Sequence, residues 1–297
     1  MKIAIVGLGM MGMNHYNILK DMDVDLVAVD VDESVTEKVD CKVYADLHTM
    51  NVNEDGIDCA VISVPTTFHS EVATTCLGMG LDIFIEKPLT KTLSEAMELS
   101  MLNLGSKGKI AVGHIERFNP AIRTLLDDIK DDTIISCDIK RVSPYPHRIN
   151  DVGVSLDLLV HDIDLVRFIT KQEIHSFNSV SKTINGSYED YVQAYIKTVD
   201  GVVSSLTASW LSPFRERMVR LLTDKAYYEV DLMNPSVDKY TSVDNSSYNK
   251  KSLFIKRENA LQKELSEFIN YVKYGQLENL ATIEDGIKIQ KLIELIK

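Results

Sequence analysis

Residues Lys2 to Gly12 read KIAIVGLGMMG, and no other segment constrains the fold as strongly. Ile3-Ala4-Ile5-Val6 is a short, wholly apolar run, the pattern of a strand buried on both faces. It runs directly into Gly7-Leu8-Gly9-Met10-Met11-Gly12, a G-x-G-x-x-G turn, and a helix-like stretch follows. In that setting Gly7 permits the tight turn, Gly9 removes the Cβ that would block a pyrophosphate, and Gly12 lets the helix approach the strand. The phosphates then sit on the helix N-terminus around Met10 and Met11, where free N–H groups and the helix dipole favour anions. The glycines alone would be an ordinary turn; the strand before and the helix after make them a dinucleotide site.

The segments that follow keep the alternation. Val24 to Val29, Cys59 to Val64, Asp82 to Ile85 and Lys109 to Gly113 read as strands, with helical composition at His69 to Met79 and from Ser94, a candidate cap, to Leu104. Such alternation predicts a parallel sheet with helices on both faces. Near Asn119-Pro120 the pattern changes. A helix to Ile129, a strand from Thr133 to Val142 and a helix from about Ser155 to Thr170 precede a region, to about Asp231, that is mostly strands. No long helix interrupts it, which predicts a large, mainly antiparallel sheet covered on one face. Asn234 to Lys251 reads as a polar loop, and helices Asn259 to Tyr274 and Ile283 to Ile296 close the chain. The fold class is α/β, divided into 1–118 and 119–297.

Among 297 residues the net charge is −12, so no cationic field would draw in nucleic acid or an anionic membrane. No apolar run approaches the roughly 20 residues of a membrane span. Cys41, Cys59, Cys76 and Cys137 are scattered, without the spacing of a zinc site or a disulfide framework. With the first strand at the very start of the chain, this predicts a cytoplasmic protein without a metal.

An acidic residue about 20 positions past the glycines takes the adenosine ribose hydroxyls. Asp30 directly follows the second strand, with Asp32 as the second choice. A carboxylate there repels a 2′-phosphate and favours NAD over NADP. Val64, Pro65 and Thr66 end the third strand, at the ligand edge of such sheets. His69 either joins them or serves the helix start. Glu86-Lys87-Pro88 ends the fourth strand at the same edge, placing Glu86 and Lys87 near the nicotinamide, with Lys87 as a proton partner. Pro88 is a candidate cis residue. In Ser155 to Asp164, Asp157 and His161 stand four apart on one helix face, so the carboxylate can orient the imidazole.

The glycine turn, Glu86-Lys87-Pro88, the stretch GHIERFNP (Gly113 to Pro120) and the D-x-x-x-H of Asp157 and His161 together resemble the Gfo/Idh/MocA oxidoreductases. The resemblance implies an N-terminal Rossmann domain and a C-terminal α/β domain for substrate binding and oligomerisation, whose open sheet forms a homodimer or homotetramer contact. It also implies Lys87, Asp157 and His161 as the catalytic set. GHIERFNPAI and the stretch from Ser143 to Arg167 are most similar to nucleotide-sugar dehydrogenases of this family, implying oxidation of a UDP-sugar, first the 3-hydroxyl of UDP-N-acetylglucosamine. Arg117, Arg148 and Arg217 are the candidates for its diphosphate. A free sugar or inositol is the rival substrate, and a dinucleotide-binding sensor without chemistry the rival class. Thr223-Asp224-Lys225-Ala226 departs from relatives that carry a glycine there, predicting a differently shaped turn.

Overall fold

The computed structural model describes residues 1–106, 108–146, 149 and 151–296. The chain forms two compact units, Met1–His114 with Leu261–Lys288, and Ile115–Ala260 with Ile289–Lys297. The first differs from a cut at 118/119 chiefly because a late segment returns to it.

In the first unit, β1 (Lys2–Val6), β2 (Asp25–Val29), β3 (Lys42–Tyr44), β4 (Cys59–Ile62), β5 (Asp82–Glu86) and β6 (Ile110–Gly113) form one parallel sheet in the order β6-β5-β4-β1-β2-β3. The strand Ala281–Thr282 pairs antiparallel with β6 and seals that edge. Ile3, Ala4, Ile5, Val61, Ile83 and Ile85 are wholly buried, as helix-covered strands require. The order reverses between β1 and β4, so a ligand crevice opens at the carboxyl ends of these strands. Helix Leu93–Ser106 starts in a way the sequence reading missed. Thr92, not Ser94, closes it: Glu95 N–H donates to Thr92 Oγ1 at 3.3 Å and Thr92 N–H to Glu95 Oε2 at 2.9 Å, a reciprocal capping box. The Ser94 hydroxyl turns outward to Glu98.

The second unit holds β7 (Ile134–Val142), β8 (Ile174–Lys182), β9 (Tyr191–Thr198), β10 (Val203–Ser209), β11 (Glu216–Thr223), β12 (Tyr227–Asp231), β13 (Ser236–Ser242) and β14 (Tyr248–Ser252). Their order is β14-β13-β12-β11-β7-β10-β9-β8, and only the central β7–β10 pair is parallel. Helices Pro120–Asp128 and Val160–Thr170 supply Ile122, Leu125, Ile163 and Val166 to a core against Ile139, Ala194, Leu206 and Val219. β13 and β14 correct the polar-loop reading of 234–251. Their sequences, SVDKYTS and YNKKS, lie at the sheet edge and bury little, so no apolar alternation marks them. Thr223 forms a hydroxyl-capped turn. Thr223 Oγ1 accepts from Lys225 and Ala226 N–H and donates to Asp132.

Candidate functional site

The three glycines separate by what a side chain would meet. Gly7 has φ +90°, and a Cβ on it would lie 2.9 Å from the Ser63 carbonyl carbon. A Cβ on Gly12 would lie 1.8 Å from Gly7 O, so the helix touches the turn through backbone alone. A Cβ on Gly9 would meet nothing within 4 Å. Gly7 and Gly12 serve the fold, whereas Gly9 keeps open the space above the helix start. Among the described residues that helix, Met10–Leu19, has no side-chain cap, so its first-turn amides at Met10, Met11 and Gly12 can donate to an anion. Asp30 closes the loop from the far side: its Oδ2 accepts from Leu8 N–H at 2.5 Å and its Oδ1 from Asp32 N–H at 2.9 Å. Two lone-pair sites remain for ribose hydroxyls. Asp32 caps the short helix Glu33–Thr36 through Ser34 N–H, which also holds its carboxyl below the ordinary range. These residues fit a dinucleotide: an open cradle, uncapped amides and a carboxylate at the end of β2.

Val64, Pro65 and Thr66 follow β4 at the same sheet edge, half-buried or exposed. His69 does not join them. Its ring is buried, with Nδ1 2.8 Å from Pro88 O and Nε2 3.0 Å from Val64 O. The neutral ring can donate to only one of these carbonyls, but its place between two main-chain oxygens corrects the cofactor-contact alternative in favour of the helix-start one. Burial pulls the His69 pKa down, against the opposing pull of the Pro88 and Val64 carbonyls and the Glu86 charge. The imidazole ties the end of β4 to the turn after β5, where Lys87–Pro88 is a cis peptide bond.

Glu86 ends β5, with Oε1 2.8 Å from His15 Nε2 and Oε2 3.3 Å from Lys87 N–H. Burial raises its pKa, but the His15 hydrogen bond and the charges of His15, Lys87 and His69 outweigh burial, and the net shift is downward. An ionised carboxylate therefore holds the main chain of half-buried Lys87. His15 was missed in the sequence. Its signal was a titratable residue three positions past Gly12, on the helix face that buries Gly12, Tyr16 and Leu19.

In the second unit the Asp157–His161 pair does not lie on one uniform helix. Ser155–Leu159 is a π-helical turn, and Val160–Thr170 continues as α-helix. Four residues remain close to one turn in either geometry, so half-buried Asp157 and buried His161 stay on neighbouring positions of one face. Glu189 closes the start of this element, accepting from Ser155 N–H at 3.2 Å and from the Ser155 hydroxyl. A Cβ on Gly153 would lie 2.3 Å from the Glu189 carboxylate, so that side chain would have to shift to admit it.

The three arginines part company. Arg117 is buried and bidentate on Asp164, with Nε–Oδ2 2.8 Å and Nη2–Oδ1 2.5 Å, and it lies over the Phe168 ring. It fastens the turn Ile115–Phe118 to the helix and leaves the substrate set. Arg148 lies outside the described residues. Arg217 has a side chain 45% exposed and one carboxylate contact, Nη1 to Glu116 Oε1 at 3.3 Å. Burial and the like charge of Arg141 lower its pKa, while Glu116, Asp162 and Asp157 oppose this. Among the described residues no group of His, Cys, Asp or Glu could hold a metal ion, and no helix is long and apolar enough to cross a membrane.

The first unit therefore has the build of a nicotinamide-dinucleotide oxidoreductase. Residues 1–114 match the oxidoreductase family with an NAD-binding Rossmann fold, and residues 133–230 match the GFO/IDH/MocA C-terminal domain. The chain belongs to the Gfo/Idh/MocA family and is an NAD-type dehydrogenase acting on CH–OH groups. It is 25% identical over 283 residues to the UDP-N-acetylglucosamine 3-dehydrogenase of Acidithiobacillus ferrooxidans, covering 92% of this chain and 88% of that protein. It is also 25% identical over 220 residues to an inositol 2-dehydrogenase of Mycolicibacterium smegmatis, covering 68% of this chain and 63% of that one. The fold matches the solved structure of the Acidithiobacillus enzyme with a TM-score of 0.90 at 22% identity, over 100% of this chain and 96% of the other. It matches GenD2 of gentamicin A biosynthesis, solved with NAD, with a TM-score of 0.83 at 22% identity, over 100% and 93%.

Proposed function

We propose that this dehydrogenase oxidises a secondary alcohol of a nucleotide sugar, with the 3-hydroxyl of UDP-N-acetylglucosamine as the first candidate. The observation that carries this reading is the near full-length alignment with the Acidithiobacillus enzyme, against a partial one for the inositol dehydrogenase. Gly7, Gly9 and Gly12 shape the cofactor turn, Met10, Met11 and Gly12 offer N–H groups to its phosphates, and Asp30 takes the adenosine ribose. Val64, Pro65, Thr66, Glu86 and Lys87 complete the nicotinamide end. The Asp30 carboxylate favours NAD over NADP by repelling a 2′-phosphate. Bound NAD⁺ supplies the hydride acceptor. His161 takes the hydroxyl proton on its imidazole, Asp157 orients that ring, and Lys87 Nζ donates a hydrogen bond to the developing alkoxide. Arg217, a half-exposed cation of the second unit, suits the sugar diphosphate.

Absorbance at 340 nm with NAD⁺ and UDP-N-acetylglucosamine tests the reading, with myo-inositol and NADP⁺ in parallel. NADH formation from the nucleotide sugar is expected. Turnover of myo-inositol alone would transfer the assignment to the second reading, an inositol dehydrogenase, which the Mycolicibacterium match favours.

The uncovered face of the second sheet supports a homodimer, or a tetramer built from it. Val180, Tyr195, Val203 and Leu222 are exposed there at 60%, 57%, 50% and 38%. Light scattering after gel filtration should give at least twice the 33.4 kDa chain mass. Tyr195→Lys with Val203→Lys should reduce it to the monomer, and an unchanged mass would place the contact elsewhere.

A further inference from the structure

Two arginines stand directly opposite each other on neighbouring strands. Arg141 of β7 pairs in register with Arg217 of β11. Arg141 alternates with Cys137 and Ile139, and Arg217 with Val219 and Leu221, so both face the helix layer. Like charges at directly opposite positions repel, and the counter-charges come from the helix side. Arg141 is 1% exposed; its Nε donates to Asp162 Oδ1 at 2.7 Å and its Nη1 to Glu116 Oε1 at 2.8 Å. Arg217 shares that same Glu116 oxygen, and Asn119 Nδ2 holds the other at 3.0 Å. The chain Asp162–Arg141–Glu116–Arg217 thus begins at the residue after His161 and ends at a half-exposed guanidinium within the field of Asp157.

Packing gives no reason for this arrangement. Buried ion networks lose much of their Coulomb gain to desolvation, and apolar side chains of like volume often serve as well. Among the described residues, Arg141 Nη2 and Asp162 Oδ2 of this network are also buried without a hydrogen-bond partner. A polar cluster kept at such a cost beside a reacting group points to function.

We propose that Arg141 and Asp162 are positioning residues of the reaction site, fixing His161 and Arg217 in one geometry through a single buried carboxylate–guanidinium chain. This rests on the reading of His161 as the proton acceptor. Asp162 pins the helix turn that carries His161 to β7, and Glu116 passes the same constraint to Arg217. The network also sets the charge beside the imidazole. Burial pushes the Asp162 carboxyl up, against Arg141, to about 6, within the range where an imidazole titrates. The ionisable groups around it are Arg141 and the buried Cys137 thiol from β7, Glu116 and Arg117 from the turn Ile115–Phe118, Arg217 from β11, and Asp157, His161 and Asp164 from its own element. Arg117 and Asp164 are committed to each other, and β10 carries no ionisable side chain.

Asp162→Asn keeps an acceptor for Arg141 Nε and removes the charge; Arg141→Lys keeps the charge and removes the fork. Each is measured with NAD⁺ and whichever sugar the wild type oxidises, beside His161→Ala. Both positioning variants should melt at a lower temperature; below it, the folded enzymes are expected to keep NAD⁺ affinity within about twofold and to show kcat at pH 7 lower by about tenfold. In Asp162→Asn the acid limb of the kcat–pH profile should also move to lower pH, because the imidazole loses a neighbouring negative charge. An inactive His161→Ala together with wild-type kcat and pH profile in Asp162→Asn would overturn the positioning role and leave the His161 reading standing. A near-wild-type His161→Ala would overturn both.

Discussion

Gly12→Ala is expected to destabilise the protein by about 3 kcal/mol, whereas Gly9→Ala should leave it folded but unable to hold its cofactor. The contrast follows from what each new methyl group meets. On Gly12 it would fall 1.8 Å from Gly7 O and 2.8 Å from Gly7 C, backbone atoms that cannot swing aside. The whole turn would have to move, and Gly7 is itself pinned against Ser63 and Val64. On Gly9 the methyl enters open space, and the backbone there, φ −62° and ψ −167°, suits alanine. In the proposed function that space receives the pyrophosphate, so NAD⁺ affinity should fall by about a hundredfold while the melting temperature holds. Thermal melts and calorimetric titration with NAD⁺ separate the two effects. Wild-type affinity in Gly9→Ala would mean that the pyrophosphate lies elsewhere.

Lys87→Met should lower kcat by about a thousandfold and leave NAD⁺ affinity within a few-fold. The split is expected because the main chain at Lys87 is held independently of its own side chain. Glu86 accepts from its N–H, and His69 faces the carbonyl of Pro88. Methionine keeps the length and apolar stem of lysine and removes only the ammonium. Single-turnover kinetics at saturating NAD⁺ are the check. A variant retaining more than a tenth of wild-type turnover would remove Lys87 from the proton-handling role.

The parallel half of the fold was legible because strands buried on both faces leave unbroken apolar runs. β1, β4, β5 and β6 all carry them. β13 and β14 were not, because the outermost strand and the one inside it bury little and keep no pattern for a reader to find. Of the site, what repeats locally could be read: the glycines, Asp30 after β2, Lys87 after β5, and the four-residue step from Asp157 to His161. What depends on distant pairing could not. Nothing near Arg117 shows that Asp164 consumes it, and nothing near Arg141 shows that it meets Glu116, 25 positions earlier. His69 is the intermediate case. Its place at a helix start was visible, but its choice between cofactor and main chain was set by Pro88, 19 residues on.

The return of Leu261–Lys288 to the first unit bears on how the protein is made. Translation delivers the first six strands of the nucleotide sheet early, yet the partner of β6 is Ala281–Thr282, and Lys109 Nζ reaches the carbonyl of Val272. Phe84 of β5 likewise stacks edge-on against Phe268. While the ribosome is still working through the second unit, the nascent Rossmann sheet therefore has an unpaired flank, the kind of edge that recruits neighbouring chains. The first six strands leave the tunnel before the second unit, and their open flank is sealed only once Ala281–Thr282, which follows that unit, has been made.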